Sequence, residues 1–282
     1  MSKSVIGAIA LVVLTLSACV AGDAEPNGQE SPTQSAEAVP QAVQDKIAQW
    51  SRLSDVEIEP FNKDMGLFSG DQVELVSQDV IELAKSQLRA DRASSSAEME
   101  QQVKDLAAGA PGKLGESMTD QVELDRKDES EKFWTMPYVQ PLDSSLDVVE
   151  DSRMSYAWDA KVEPVADGTG VTVTLFTRTA HWVNIDDGAR TLIGISSWIA
   201  LSTVDPEYAA TSGDYAWQVY AHASNADICV AVKGKPFVPL PADETDKESL
   251  DFFTSFGKNE FVAIEKFKTP QEEIEKDIAK CE

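Results

Sequence analysis

The sequence predicts an α+β protein: amino-terminal helices packed on a curved four-stranded antiparallel meander, followed by a helical carboxy-terminal extension. Before residue 150 apolar side chains recur at helical spacing, whereas between residues 155 and 232 they alternate with polar ones, with turn signals between the runs. A chain of 282 residues, 42% apolar and 26% charged, also suits a folded protein with a sizeable core rather than a disordered or multi-span membrane one.

The first helix is predicted in PQAVQDKIAQWSRL, where Val43, Ile47 and Trp50 share a face. The second, SGDQVELVSQDVIELAKSQLRA, aligns Val73, Val76, Val80, Leu83 and Leu88 behind a Ser69–Gln72 capping box. The third, AEMEQQVKDLAA, aligns Met99, Val103 and Leu106, with Ser95 and Glu98 as its start signal and Gly109 as its stop. A fourth runs through Leu114, Met118 and Val122. Residues 126–141, with two prolines and three aromatics, read as a loop that packs onto the fold.

The first strand alternates Tyr156, Trp158, Ala160 and Val162 with Ala157, Asp159, Lys161 and Glu163. After the turn VADGTG, Val171, Val173 and Leu175 alternate with threonines. After NIDDGAR, Ile193, Ile195, Ile199 and Leu201 share a face. The loop DPEYAATSGD then leads to Tyr215, Trp217, Val219 and Ala221. One face of such a sheet needs a cover, and the preceding helices supply it. Beyond Pro236 come a Pro-rich stretch, a short helix KESLDFFTSF behind a Thr245–Glu248 capping box, and an extended run FVAIEKF. A terminal helix follows, opened by Thr269, Pro270 and Glu272. No polar linker separates helices from strands, so residues 41–282 are expected to form one domain: 41–150 mainly helical, 151–235 the sheet, 236–282 the extension.

Residues 1–18 have the three parts of a secretory signal: Lys3, the apolar run Val5–Leu16, and small residues at Ser17 and Ala18. A run of twelve residues, apolar apart from Thr15, falls short of the roughly 20 that span a bilayer, which disfavours a permanent transmembrane helix. Leu16-Ser17-Ala18-Cys19 resembles the bacterial lipobox. That resemblance implies a diacylglycerol on Cys19, cleavage before it, and a mature protein held on the extracytoplasmic face of the membrane. Val20 rather than Asp after the cysteine resembles lipoproteins passed to the outer membrane, where a cell has two. Residues 19–40, rich in Ala, Gly, Pro, Ser, Gln and Glu, read as a flexible tether.

With Cys19 assigned to the lipid, Cys229 and Cys281 remain, and an oxidising compartment suggests one disulfide between them, two unpaired buried thiols being the alternative. Cys281 follows Ile274 and Ile278 on the inward face of the terminal helix. Cys229 sits in ICVAV, read as a strand or strand end.

With 49 acidic against 24 basic side chains the formal charge is −25, which argues against nucleic-acid binding and favours cationic partners. The two histidines, His181 and His222, belong to no metal-binding spacing, so neither metal nor cofactor is expected. Asn184, Asp186 and Gly188 suggest a calcium loop, but its required Glu falls at Ile195, so a hairpin turn is the better reading. There is no GxSxG motif or phosphate loop, and Ser255–Lys258 lacks the companion motifs of penicillin-recognising enzymes. Trp158, Trp182, Trp198 and Trp217 all fall on the sheet; core packing explains Trp158 and Trp217.

Helices followed by a meander of long strands, over roughly residues 65–232, resemble the NTF2-like α+β roll, and cystatin-like folds share the pattern. The resemblance implies a conical sheet with an interior pocket in which Asp, His or Tyr performs acid–base work. His181, Asp159 and Tyr220 are the candidate pocket residues, although Asp159 alternates to the face opposite Trp158. The leading expectation is a membrane-anchored extracytoplasmic lipoprotein acting as a non-catalytic binding or scaffolding module, with a possible protein partner in the envelope. The alternatives are an NTF2-like enzyme or small-ligand carrier, and a subunit of an envelope secretion or transport assembly.

Overall fold

In the computed structural model, residues 39–127, 134–149, 152–165, 168–185, 190–241 and 247–267 are described, with 276 and 279–281. The signal segment, Cys19, nearly all of the tether, Asp186 and Gly188, and the capping boxes at Thr245 and Thr269 lie outside the described residues.

The helices are α1 (Gln41–Ala48), α2 (Gly70–Arg89), α3 (Ser96–Gly109), α4 (Gly112–Lys127), α5 (Pro206–Ser212), α6 (Ile228–Val232) and α7 (Lys247–Thr254). The strands are β1 (Ser51–Arg52), β2 (Arg92–Ala93), β3 (Leu142–Asp143), β4 (Arg153–Val165), β5 (Gly168–Asn184), β6 (Arg190–Thr203) and β7 (Ala216–Ser224). At the start of α2, the Ser69 hydroxyl accepts from Gln72 N at 3.3 Å, and Gln72 Oε1 accepts from Ser69 N at 3.1 Å. Such a cap contributes about 1 kcal/mol. Burying Val73, Val76, Val80 and Leu83 contributes roughly 1.5–3 kcal/mol each, so packing rather than capping holds the helix. At α3, Ser95 caps as expected, but the Glu98 carboxylate turns to Ser94 N and Oγ, each at 2.7 Å.

Four expectations for individual elements are corrected. The main sheet has five strands, not four, in the order β1-β4-β5-β6-β7, because Ser51–Arg52 adds antiparallel to Met154–Arg153. The stretch expected as the loop DPEYAATSGD contains α5, which Asp205 caps from its side chain, Pro206 opens, and Gly213 closes at φ 71°. Cys229 lies in α6 rather than a strand: Asp227 accepts from Cys229 N at 2.8 Å, and Ile228, Ala231 and Val232 turn to one buried side. Within the expected extended run FVAIEKF, Ile264–Phe267 close into a 3₁₀ turn. Val39, placed in the tether, is buried against the apolar cluster around α1 and α7.

The larger correction concerns the faces. The helices were expected to cover one side of the sheet, but both sides are covered. Odd-numbered residues of β5 and their cross-strand partners face α2–α4, where Val171, Val173, Leu175, Ile199, Leu201 and Val219 join the valines of α2. At the other end of the same face, Ile193 and Ala223 pack with Leu142, Ile228, Val232 and Phe237. On the opposite face Phe176, Ala180, Trp182, Leu192 and Trp198 meet α1, α7 and the segment through Phe267. Trp198 Nε1 donates to Val262 O at 2.7 Å, fastening that cover to the sheet.

Gly194 marks how closely α7 approaches. A Cβ there would sit 2.6 Å from a Phe252 ring carbon and 2.8 Å from one of Phe253. Gly194→Ala is therefore expected to destabilise by about 1–3 kcal/mol, read as a lower urea midpoint with an unchanged slope.

Cys229 and Cys281 stand as a disulfide-capable pair, their sulfurs 2.08 Å and their Cα atoms 5.0 Å apart, across a sequence separation of 52. In the chain-entropy account that link contributes on the order of 4 kcal/mol. Cys281→Ser is expected to lose most of it under oxidising conditions and nothing under reducing ones, measured by denaturant unfolding in both.

Candidate functional site

Between its two apolar ends, the helix-facing side of the sheet turns polar. Along β5, Thr177, Thr179 and His181 interrupt the series Val171, Val173, Leu175 and Val183, and Ser197 on β6 stands opposite Thr177. All four polar residues are buried. The elements above supply Leu53, Gln87, Leu88 and Gln140, and together these groups enclose a cavity of about 40 Å³. Leu53 and Leu88 also line an outer cleft of about 390 Å³, whose wall holds Val56, Ile58 and Met154 with Lys85 and Arg89. Leu88 carries the last apolar position predicted for α2, and it stands between cavity and cleft.

The hydrogen bonds inside are nearly complete. Ser197 Oγ bonds to Gln87 Oε1, and Gln87 Nε2 donates to Tyr138 O at 2.7 Å. Gln140 Nε2 donates to Met136 O at 3.2 Å, whereas its Oε1, wholly buried, has no partner. An acceptor left dry costs about 1–3 kcal/mol. A cavity of this size holds two or three waters, enough to satisfy it.

His181 is 4% exposed and engages both ring nitrogens: Nδ1 lies 2.6 Å from Ser152 Oγ and Nε2 3.1 Å from Thr179 Oγ1. Thr179 Oγ1 donates onward to Ile195 O at 3.5 Å, which assigns the proton to Nε2 and leaves Nδ1 to accept from Ser152. The ring is held by hydroxyls, and among the described residues no carboxylate bonds to it, although Asp91 lines the same cavity. Burial, reinforced by the neighbouring Arg92 charge, lowers its pKa to about 4. A Ser–His contact of this kind lacks the acidic partner that orients a catalytic triad.

The other two candidate pocket residues lie elsewhere. Asp159 is on the opposite face, its carboxylate 3.8 Å from Lys161 Nζ, because β4 alternates it away from Trp158. Tyr220 also faces away, its ring 5.3 Å from Trp198 in the cluster against α7. Only His181 reaches the cavity. Asn184, at the end of β5, donates to Asp147 Oδ2 at 2.5 Å. Ser255 follows α7, and Lys258 offers its carbonyl to Arg178. Among the described residues no three His, Cys, Asp or Glu side chains group closely enough to hold a metal ion. The sequence reading passed over Gln87, Gln140, Thr177, Thr179 and Ser197. Their signal was the run Thr177-Arg178-Thr179-Ala180-His181, polar where a strand covered on both sides should be apolar. The chain matches no family profile, no curated protein and no solved structure.

The ordinary pKa of 6.5 falls to about 4 in the folded protein, so the unfolded chain takes up the His181 proton first as pH drops. This contribution to stability is complete above about pH 6.5 and is lost as pH falls towards 4, roughly 3 kcal/mol in all. Asp79 and Asp91, whose pKa values burial raises, act in the opposite direction. Comparing variant with wild type removes their effect. His181→Gln is expected to flatten the pH dependence by about that amount, measured by urea unfolding at pH 7 and pH 4.5.

Proposed function

We propose that the chain is a lipid-anchored extracytoplasmic protein whose folded part is a non-catalytic binding module, and that the cleft over Leu53 and Leu88 is its binding side. The observation that carries this reading is the stepped site. A cleft of about 390 Å³ falls in the range of small-molecule sites, whereas the cavity behind it, about 40 Å³, is too small for a substrate. Two basic side chains, Lys85 and Arg89, stand one helical turn apart beside an apolar wall, with Glu57 lining the same cleft and Lys85 Nζ paired to Glu82 at 2.8 Å. That combination suits a ligand with an apolar body and a polar head. The covered, internally polar sheet face also supports the finer reading of the fold as an NTF2-like roll.

Anchoring through Cys19 follows from Leu16-Ser17-Ala18-Cys19 behind a short apolar run. Among the described residues, no helix is long and apolar enough to cross a membrane. Two acyl chains contribute ~0.8 kcal/mol per buried methylene, enough for stable attachment. The non-catalytic reading is supported by His181, whose two ring nitrogens are both taken by hydroxyls.

In cell fractionation the wild type is expected with membranes and Cys19→Ser in the soluble fraction; a variant that stays bound with its signal removed argues against the lipid. Native mass spectrometry of the released protein reads the cleft. A retained small molecule that disappears in Leu88→Arg supports the carrier form of the reading, and an empty cleft in wild type leaves a scaffolding role.

A further inference from the structure

The opposite face of the sheet contains a buried cation that makes no ion pair among the described residues. Arg178 is 1% exposed, its guanidinium 4.8 Å from the Trp50 ring centre, 5.7 Å from that of Phe176 and 6.0 Å from that of Phe256. Nη2 donates to Gly257 O at 2.7 Å and lies 3.4 Å from Lys258 O, whereas Nη1 has no hydrogen-bond partner among the described residues. No ion pair among the described residues includes Arg178. Glu260, whose negative field favours the charged form of Arg178, binds the Gly257 amide through Oε2 at 2.7 Å. Burial lowers the pKa of Arg178 only to about 10, so the side chain is cationic at neutral pH.

Three further buried donors around it lack acceptors: Ser155 Oγ, Ser196 Oγ and Trp50 Nε1. Ser155 and Ser196 are the direct cross-strand neighbours of Arg178 on β4 and β6, so the three side chains form a row at about 5 Å spacing on one face. Trp50 lies over the row. A water molecule would accept from two of these donors but would add no negative charge to a guanidinium held by ring faces, backbone carbonyls and the field of Glu260 alone. One negative charge meets both needs. The walls are aromatic rings, which offer no donors for the several oxygens of a large oxyanion. Ser155 and Lys258 also line a groove of about 580 Å³, together with Asp55, Glu57 and Lys63, while the Ser155 hydroxyl itself is buried.

We infer that Arg178, Ser155, Ser196 and Trp50 form a binding site for a small monovalent inorganic anion of the halide class, which fastens Trp50 and the segment 256–258 to the sheet. The site lies on the face opposite the cleft and does not depend on the ligand proposed there.

The test uses thermal unfolding of the full chain in sodium chloride and in sodium gluconate, whose anion is too large for the row, at equal ionic strength. It is paired with bromide soaks read by anomalous diffraction. A saturable rise of the melting temperature with chloride is expected, together with a bromide peak in contact with Arg178 Nη1. Ser196→Ala and Ser155→Ala keep the cation and are each expected to weaken the apparent affinity about tenfold. Arg178→Met is expected to abolish the chloride dependence. Should that variant fail to fold, the two serine variants decide. Melting that is indifferent to chloride, a chloride effect unchanged in both serine variants, or the absence of a bromide peak overturns the inference.

Discussion

Leu175 and Phe176 are adjacent in sequence and buried in different cores, one against α2–α4 and the other against α1, α7 and Phe267. That split, repeated along β5 and β6, is the constraint on which the remaining architecture rests. A strand covered on both sides has no solvent face, so a register slip of one residue would exchange the contents of two cores. The long ladder between β5 and β6, from Val171 opposite Thr203 to Asn184 opposite Arg190, resists such a slip. Small residues are needed where the cover comes closest, and Gly194 is the position at which a single methyl group has no room.

Two-sided burial also makes each polar side chain in the middle of the strand consequential. On the helix side, Thr177, Thr179, His181 and Ser197 are reconciled with burial by hydroxyl, amide and carbonyl partners around a small cavity, and the imidazole stays neutral. On the other side, Arg178 keeps its charge among aromatic rings with one guanidinium nitrogen unbonded. The chain thus places a cation in its interior while its surface is overwhelmingly acidic. The exterior charge would hold the domain off an anionic bilayer to which a lipid anchor would tie it, leaving both the cleft and the β4 groove open to solvent.

The elements themselves were largely legible. The capping box at Ser69, the valine stripe of α2, and the alternation Tyr156–Val162 and Val171–Leu175 are local patterns enforced by backbone geometry, and they read correctly from residues a few positions apart. Short elements were not legible: five residues of α6 or seven of α5 do not span enough turns to show a period, and only their caps at Asp227 and Asp205 distinguish them. Of the candidate site, His181 alone was recoverable, because histidine attracts notice in any strand. Its partners Gln87, Gln140 and Ser197 are ordinary residues on separate elements.

The sequence by itself determined the long helices and strands, the acidic balance, the lipobox pattern and the pair of cysteines left for one another, since each is a property of composition or short-range spacing. Only the tertiary structure decided which face α1 covers, that Tyr220 points away from His181, and that Arg178 meets Trp50, Ser155 and Ser196 with no ion pair among the described residues. The physical reason is that alternation assigns a residue to one side of its own strand and no more. What waits on that side is set by long-range packing, here of segments more than a hundred residues apart.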